Sequence, residues 1–121
     1  MDNLMLVYIS YLVFLFFILL SYWLAHDKYA KQKKIHCFSS PFDNTAVDFL
    51  EKLSAPAYKI ASFELVDIPL IKKAASKKKP LIMSTGVADY EEISDACITA
   101  NNFGADGCAL LHCCLLYTSP S

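Results

Sequence analysis

The sequence lacks the glycine patterns that hold nucleotide phosphates. Neither GxGxxG nor the Walker pattern GxxxxGK[ST] occurs anywhere in the 121 residues, and both patterns let a backbone approach a pyrophosphate closely. A nucleotide-binding fold is therefore disfavoured. The formal net charge of -1 also indicates no basic surface for a polyanion, so nucleic acid is not an expected partner.

Paired cysteines are missing as well. The five cysteines include no CxxC pair, which argues against a zinc ribbon, and their odd number argues against a disulfide framework. Most of them lie in apolar runs, where cysteine usually serves as a small buried residue. We therefore expect reduced thiols in a cytoplasmic protein.

The N-terminal part of the chain has no charge over a long stretch. No charged residue occurs between Asp2 and Asp27, and residues 4–25 are almost entirely apolar. About 20 such residues span a bilayer as a helix. Four lysines follow at once: Lys28, Lys31, Lys33 and Lys34. By the positive-inside tendency they place the soluble part in the cytoplasm, and the missing basic n-region argues against a cleaved signal peptide.

Residues 34–113 alternate between strand-like runs and helical periodicity. Strands are predicted to start near Ile35, Tyr58, Leu81 and Cys108. Helices are predicted over Thr45–Leu53, from Asp67 to about Ser76, and from Asp89 to Gly104. Such a βα repeat implies a parallel sheet covered by helices, and the length of the chain allows one small domain.

Polar side chains follow the carboxyl end of every predicted strand. They are Ser39, Ser40, Ser62, Glu64, Ser84, Thr85 and His112. In a TIM barrel all strand ends face one site, whereas a doubly wound sheet uses chiefly the strands at its switch point. The pattern favours part of a (β/α)8 barrel with about four βα units.

Lys59 lies in the middle of an apolar strand. Strand alternation puts Lys59 and Ala61 on one face. The larger Tyr58 and Ile60 share the other face, which the helices should cover. Lys59 then points into the barrel, where a buried lysine needs an anion. A lysine that snorkels to the surface is the alternative.

Four segments match one family in order and spacing. They are Phe38-Ser-Ser-Pro-Phe-Asp43, Tyr58-Lys-Ile-Ala-Ser62 with Glu64, Ile82-Met-Ser-Thr-Gly86 and Leu110-Leu-His-Cys113. They resemble the sialic acid synthases, that is N-acetylneuraminate synthase and its legionaminate and pseudaminate relatives. The resemblance covers residues 34–113, and it implies a TIM barrel followed by a small antifreeze-like domain.

The resemblance also implies a reaction. The family condenses phosphoenolpyruvate with an N-acetylated hexosamine such as N-acetylmannosamine, and phosphate leaves by C–O cleavage. A divalent metal, Mn or Mg, polarises the sugar aldehyde as a Lewis acid. The resemblance further implies a homodimer of the family type.

Site residues follow from the matching segments. The residues implied to bind phosphoenolpyruvate are Ser40, Lys59, Ser62 and Ser84. Glu64 is implied to contact sugar hydroxyls or to move a proton, so Lys59 and Glu64 are the candidate catalytic residues. Ordinary strand-end roles for the two outer serines, and a helix-entry role for Glu64, are the alternatives. His112 is interpreted as structural, because the family's metal histidines come from later strands, and no metal ligand is predicted in this chain.

The predicted organisation has three parts. Residues 1–33 form an apolar, transmembrane-like helix with a basic linker, residues 34–113 a partial synthase barrel, and residues 114–121 a tail unlike the family. The outer parts depart from the family and indicate a truncated or wrongly joined sequence, which alone should be inactive apart from weak anion binding. The alternative function is a single-pass membrane protein with a small non-catalytic cytoplasmic α/β domain.

Overall fold

Helices and parallel strands alternate after one long N-terminal helix in the computed structural model, which describes residues 2–112. The chain divides into two units, Met1–Cys37 and Phe38–Ser121. The elements in chain order are α1 (Asp2–Gln32), α2 (Asn44–Lys52), β1 (Tyr58–Ile60), a 3-10 turn (Ser62–Glu64), α3 (Ile68–Ala75), β2 (Leu81–Ser84), α4 (Tyr90–Asn102) and β3 (Cys108–Leu111). The predicted tail, residues 114–121, lies outside the described residues.

Aspartates cap α2, α3 and α4. Asp43 caps α2, where its side chain accepts a hydrogen bond at 2.7 Å from the backbone N–H of Ala46. Asp67 does the same for α3 at 3.0 Å. Asp89 and Glu92 form a capping box at α4, at the residue where the helix is predicted to begin. These bonds satisfy N–H groups that a first helical turn leaves free, so the helix starts are fixed locally.

The sheet is parallel, and its strands lie in the order β1-β2-β3. Tyr58 lies opposite Leu81, and Leu81 lies opposite Cys108. Helices connect the strands, and sequential parallel strands with helical connections are the repeating unit of a TIM barrel. The predicted partial α/β barrel is therefore confirmed.

The first predicted strand is shorter than the sequence pattern indicates. In place of a strand over residues 35–40 there is one parallel bridge between Ser39 and Tyr58. The predicted position of this segment beside β1 and its parallel direction are correct, but its predicted length as a strand is wrong. The neighbouring strand β1 is only three residues long, so it offers few partners for a longer ladder.

The core lies between the sheet and its helices. Tyr58, Ile60, Leu81 and Met83 are fully buried on one face of the sheet. The helices cover that face with apolar side chains, among them Val47, Leu50, Leu70, Ile71, Ala74, Ala96 and Ala100. Lys59, which alternates with the buried strand residues, is only partly buried. The sheet therefore has a helix-covered face and a second face that carries Lys59, as alternation predicts.

An ion-pair network lies at the amino edge of the sheet. Glu51 accepts hydrogen bonds from Lys79 Nζ at 2.8 Å and from the Tyr58 hydroxyl. Asp48 pairs with Lys77 at 2.9 Å. Lys79 is the main cause of a lowered pKa at Glu51, and Lys77 is the main cause at Asp48. In TIM barrels residues at this edge serve stability.

We expect this network to make folding sensitive to acid. Because the pKa values of Glu51 and Asp48 are lower in the folded chain, their contribution is fully present above about pH 5 and is lost as the pH falls through the lowered values. The urea midpoint of the chain in mild detergent should therefore drop between about pH 5 and pH 3. Near-ultraviolet circular dichroism measures this midpoint.

A variant carrying Asp48→Asn and Glu51→Gln should already have a lower midpoint at pH 7 and should change less on acidification. Glu91→Gln is the matched control, because Glu91 is exposed on α4 and forms no ion pair within residues 2–112. An equal acid-induced drop in the double variant and in the unmodified chain would assign the effect to other carboxylates.

Helix α1 is continuous, as predicted for residues 4–25. Within its segment Val7–Gln32 an 18-residue window has a mean hydropathy of 2.1, and none of that window is buried. By length and composition this helix could cross a membrane. After its last turn the Ile35 N–H donates to the Ala30 carbonyl at 2.9 Å, and Lys34 adopts a left-handed backbone with φ of 56°.

Candidate functional site

Hydrogen bonds join the ends of the three strands at the carboxyl edge of the sheet. The Gly86 N–H, just after β2, donates to Ser62 Oγ, just after β1, at 3.2 Å. Beyond β2, the Thr85 N–H and hydroxyl both donate to the Leu111 carbonyl of β3, at 2.9 and 3.2 Å. The strand ends that the sequence singled out are therefore tied together, and the Ser62 hydroxyl hydrogen is left available to donate elsewhere.

Two polar side-chain atoms at this edge are buried without a hydrogen-bond partner in the described part of the chain. They are Ser84 Oγ and Glu64 Oε2, and Ser84 as a whole is only 1% exposed. Leaving a buried polar group unpaired costs about 1–3 kcal/mol, and more for a charged group. Each such group in a native structure needs an explanation, and a bound ligand is one.

Lys59 brings positive charge to the same part of the sheet. It is partly buried between two fully buried neighbours on β1, Tyr58 and Ile60. Its backbone N–H donates to the Ser39 carbonyl at 3.1 Å, which fixes the strand at this point. Over residues 2–112 no carboxylate pairs with its ammonium group. A partly buried lysine without a counter-ion is suited to an anionic ligand.

The register of the sheet places Lys59 and Ser84 on one face. Lys59 lies opposite Ile82, and Ile82 and Ser84 are two residues apart on β2, so they share a face. Glu64 is the last residue of the 3-10 turn, and its backbone N–H donates a hydrogen bond to the Ala61 carbonyl at 3.1 Å. Lys59 and Ser84 therefore share a face of the sheet, and Glu64 follows β1 at its carboxyl end.

The remaining predicted residues lie at or near this edge. Ser40 directly follows the Ser39 bridge and is partly buried, but within residues 2–112 no side-chain hydrogen bond joins it to the others. His112 is exposed after β3. Sequence reasoning missed the Gly86 N–H as a donor that orients Ser62. Its only signal was the glycine that closes the Ile82–Gly86 segment.

A metal site is not formed by the described residues alone. Within residues 2–112 no group of three His, Cys, Asp or Glu side chains could hold a metal ion. The grouped side chains at the carboxyl edge are better suited to an anion, because a lysine and serine hydroxyls donate hydrogen bonds.

Known proteins share this chain's pattern. A family model described as the NeuB family matches residues 21–121, so the match begins inside α1. Pseudaminic acid synthase of Helicobacter pylori is 46% identical over 93 residues, which are 74% of this chain and 26% of that protein. N-acetylneuraminate-9-phosphate synthase of Drosophila melanogaster is 31% identical over 81% of this chain and 27% of its own length. The chain thus spans about a quarter of these curated relatives.

Solved structures agree in fold. N-acetylneuraminic acid synthetase from Leptospira borgpetersenii, determined in complex with citrate, has a TM-score of 0.74 and 28% identity over 81% of this chain and 34% of its own. The spore coat polysaccharide biosynthesis protein SpsE from Bacillus subtilis has a TM-score of 0.72 and 32% identity over 77% of this chain and 26% of its own. The family suggested by the four sequence segments is confirmed, and the chain belongs to the NeuB family.

Proposed function

We propose that this chain forms part of a synthase that condenses phosphoenolpyruvate with an N-acetylated hexosamine to give a sugar acid. The observation that carries the proposal is the pair of buried, unpartnered atoms, Ser84 Oγ and Glu64 Oε2, at the edge that Lys59 also serves. Family membership supports the reaction class, since relatives are named as synthases of pseudaminic, legionaminic and neuraminic acids.

In the proposed reaction C3 of phosphoenolpyruvate forms a bond to the aldehyde carbon of the sugar. The aldehyde oxygen takes a proton and becomes a hydroxyl group. Water adds at C2, and the bond from C2 to the phosphate oxygen breaks, so that inorganic phosphate leaves with the bonding electrons. The new sugar acid keeps the carboxylate of phosphoenolpyruvate.

The roles of the side chains follow from their chemistry. Lys59 provides a point charge for the phosphate or carboxylate, while Ser62 and Ser84 donate hydrogen bonds to the same anion. Ser40 completes the serine set next to the Ser39 bridge. Glu64 accepts a hydrogen bond from a sugar hydroxyl or moves the proton that the aldehyde oxygen takes up.

The metal ion and the dimer belong to the whole synthase. A bound Mn or Mg ion supplies Lewis-acid polarisation of the aldehyde, but the described residues hold no ligand set for it. The family-type homodimer likewise stays a prediction.

Membrane attachment is a separate proposal for the N-terminal unit. We propose that α1 spans a membrane and leaves the barrel unit on the cytoplasmic side. Its apolar 18-residue window, none of which is buried, supports this proposal, as do the lysines that follow it. The comparisons give no support to the alternative of a non-catalytic membrane protein, because the named relatives above belong to sugar-acid and polysaccharide biosynthesis.

A titration of the isotope-labelled chain in detergent micelles tests the synthase proposal. Phosphoenolpyruvate should shift the backbone amide resonances of Lys59, Ser62 and Ser84 and leave those of Asp48 and Lys77, at the opposite edge, unchanged. Lactate, which has a carboxylate but no phosphate, is the matched control and should cause smaller shifts. A titration in which phosphoenolpyruvate shifts nothing at the carboxyl edge would contradict the proposal.

A further inference from the structure

The C-terminal end of α1 carries a cationic group that the synthase reaction does not use. Residues 26–36 contain four lysines and a single carboxylate, that of Asp27. They follow directly on an apolar helical segment, none of which is buried. Clusters of at least four Lys or Arg residues just cytoplasmic of a membrane span attract anionic lipid headgroups.

The four lysines are not equivalent in the structure. Lys31 is paired with Asp27 at 2.7 Å, so its charge is largely compensated. Lys33 Nζ lies 5.7 Å from the centre of the Tyr29 ring. Lys28 and Lys34 are exposed, and neither has an ion pair or an aromatic contact within residues 2–112. These two ammonium groups are therefore the ones free for an external anion.

Aromatic side chains mark the same level of the helix. Tyr22, His26 and Tyr29 recur at a helical spacing of four and three residues, which places them on one face, and the Tyr22 and His26 rings lie 4.3 Å apart. Amphipathic rings of this kind are enriched where a span meets the headgroup layer. Tyr22 and His26 thus precede both free lysines, and Tyr29 lies between Lys28 and Lys34, so the rings and the free charges share the same end of the helix.

We propose that this end of α1 binds the headgroups of anionic phospholipids at the cytoplasmic membrane surface through Lys28 and Lys34. The inference rests on the proposed membrane span of α1 and adds the lipid class and its contact residues. An acidic protein partner would match the charge equally, but it would not need the unburied apolar helix that leads to these lysines. Anionic lipid matches both features.

Trp23 provides the measurement, because it is the only tryptophan of the chain. The full chain is reconstituted in vesicles that contain phosphatidylcholine and phosphatidylglycerol, with bromine on the acyl chains of one or the other lipid. The ratio of the two quenching curves gives the preference for phosphatidylglycerol around the helix. We expect each free lysine to contribute about a fivefold preference at low salt, and high salt should reduce it.

Three variants make the test specific. The double variant Lys28→Gln with Lys34→Gln should lower the preference by about 25-fold, since each of the two lysines contributes about fivefold. Asp27→Asn should increase the preference by about fivefold, because it frees the charge of Lys31. Lys52→Gln is the matched control, since Lys52 is an exposed lysine of α2 and should leave the preference unchanged.

The outcomes separate the two proposals. Quenching by both brominated lipids with equal strength, or a double variant that keeps the original preference, would overturn the lipid inference and leave the membrane span intact. No quenching by either lipid would mean that Trp23 does not reach the bilayer, and the membrane span would then be wrong together with the inference. An increase with Asp27→Asn and a loss with the double variant would support both.

Discussion

Replacing Lys59 by alanine is expected to weaken phosphoenolpyruvate binding by about 10- to 150-fold, because a hydrogen bond to a charged group contributes roughly 1.5–3 kcal/mol. The reason lies in its surroundings. Lys59 is held between two buried residues of β1 and has no carboxylate partner in residues 2–112. A bound anion is the expected partner of the Lys59 ammonium group. Removing the Lys59 side chain should therefore reduce the affinity for phosphoenolpyruvate and change the stability of the fold little.

Two measurements check this expectation. The titration described above gives the dissociation constant for the chain itself. A chimaera in which residues 34–113 replace the corresponding part of Helicobacter pylori pseudaminic acid synthase gives kcat/KM for phosphoenolpyruvate. Lys59→Ala should lower both affinity and kcat/KM, while the exposed Lys52→Ala should change neither. Unchanged values in the Lys59 variant, with an unchanged urea midpoint, would show that another residue holds the anion.

The elements of the barrel unit could be predicted because their signals are local. Asp67 with the apolar spacing behind it predicts α3, and the Asp89 and Glu92 pair predicts α4; each signal acts within one helical turn. The first strand was the exception. The length of a strand depends on the residues that pair with it, and here only Ser39 forms a bridge to β1. This pairing cannot be predicted from residues 35–40 alone.

The candidate site was predictable in composition but not in its contacts. The position of polar residues after each strand identified Lys59, Ser62 and Ser84, since parallel strands end at one edge. The Gly86 N–H donates a hydrogen bond to Ser62 Oγ. This contact depends on the register between β1 and β2. The burial of Ser84 Oγ without a partner depends on the packing of both faces of the sheet. Neither can be obtained from the spacing of residues along the chain.

Ser84→Ala is expected to have opposite effects on stability and on binding. The hydroxyl is buried and unpartnered in the absence of ligand, so its removal should stabilise the folded chain by about 1 kcal/mol. The same removal takes away a donor to the anion and should weaken phosphoenolpyruvate binding by about tenfold, since a hydrogen bond to a charged group is worth at least 1.5 kcal/mol. A residue with a purely structural role would not produce this combination.

Thr85→Val is the matched control, because the Thr85 hydroxyl has a partner, the Leu111 carbonyl at 3.2 Å. Its removal should lower the urea midpoint, since a satisfied hydrogen bond contributes about 0.5–1.5 kcal/mol, and it should not improve stability as Ser84→Ala does. Urea unfolding gives the stability of each variant, and the phosphoenolpyruvate titration gives its affinity. If Ser84→Ala lowered the urea midpoint and left the affinity unchanged, Ser84 would be an ordinary strand-end residue. Its buried, unpartnered hydroxyl would then no longer indicate a ligand at the carboxyl edge.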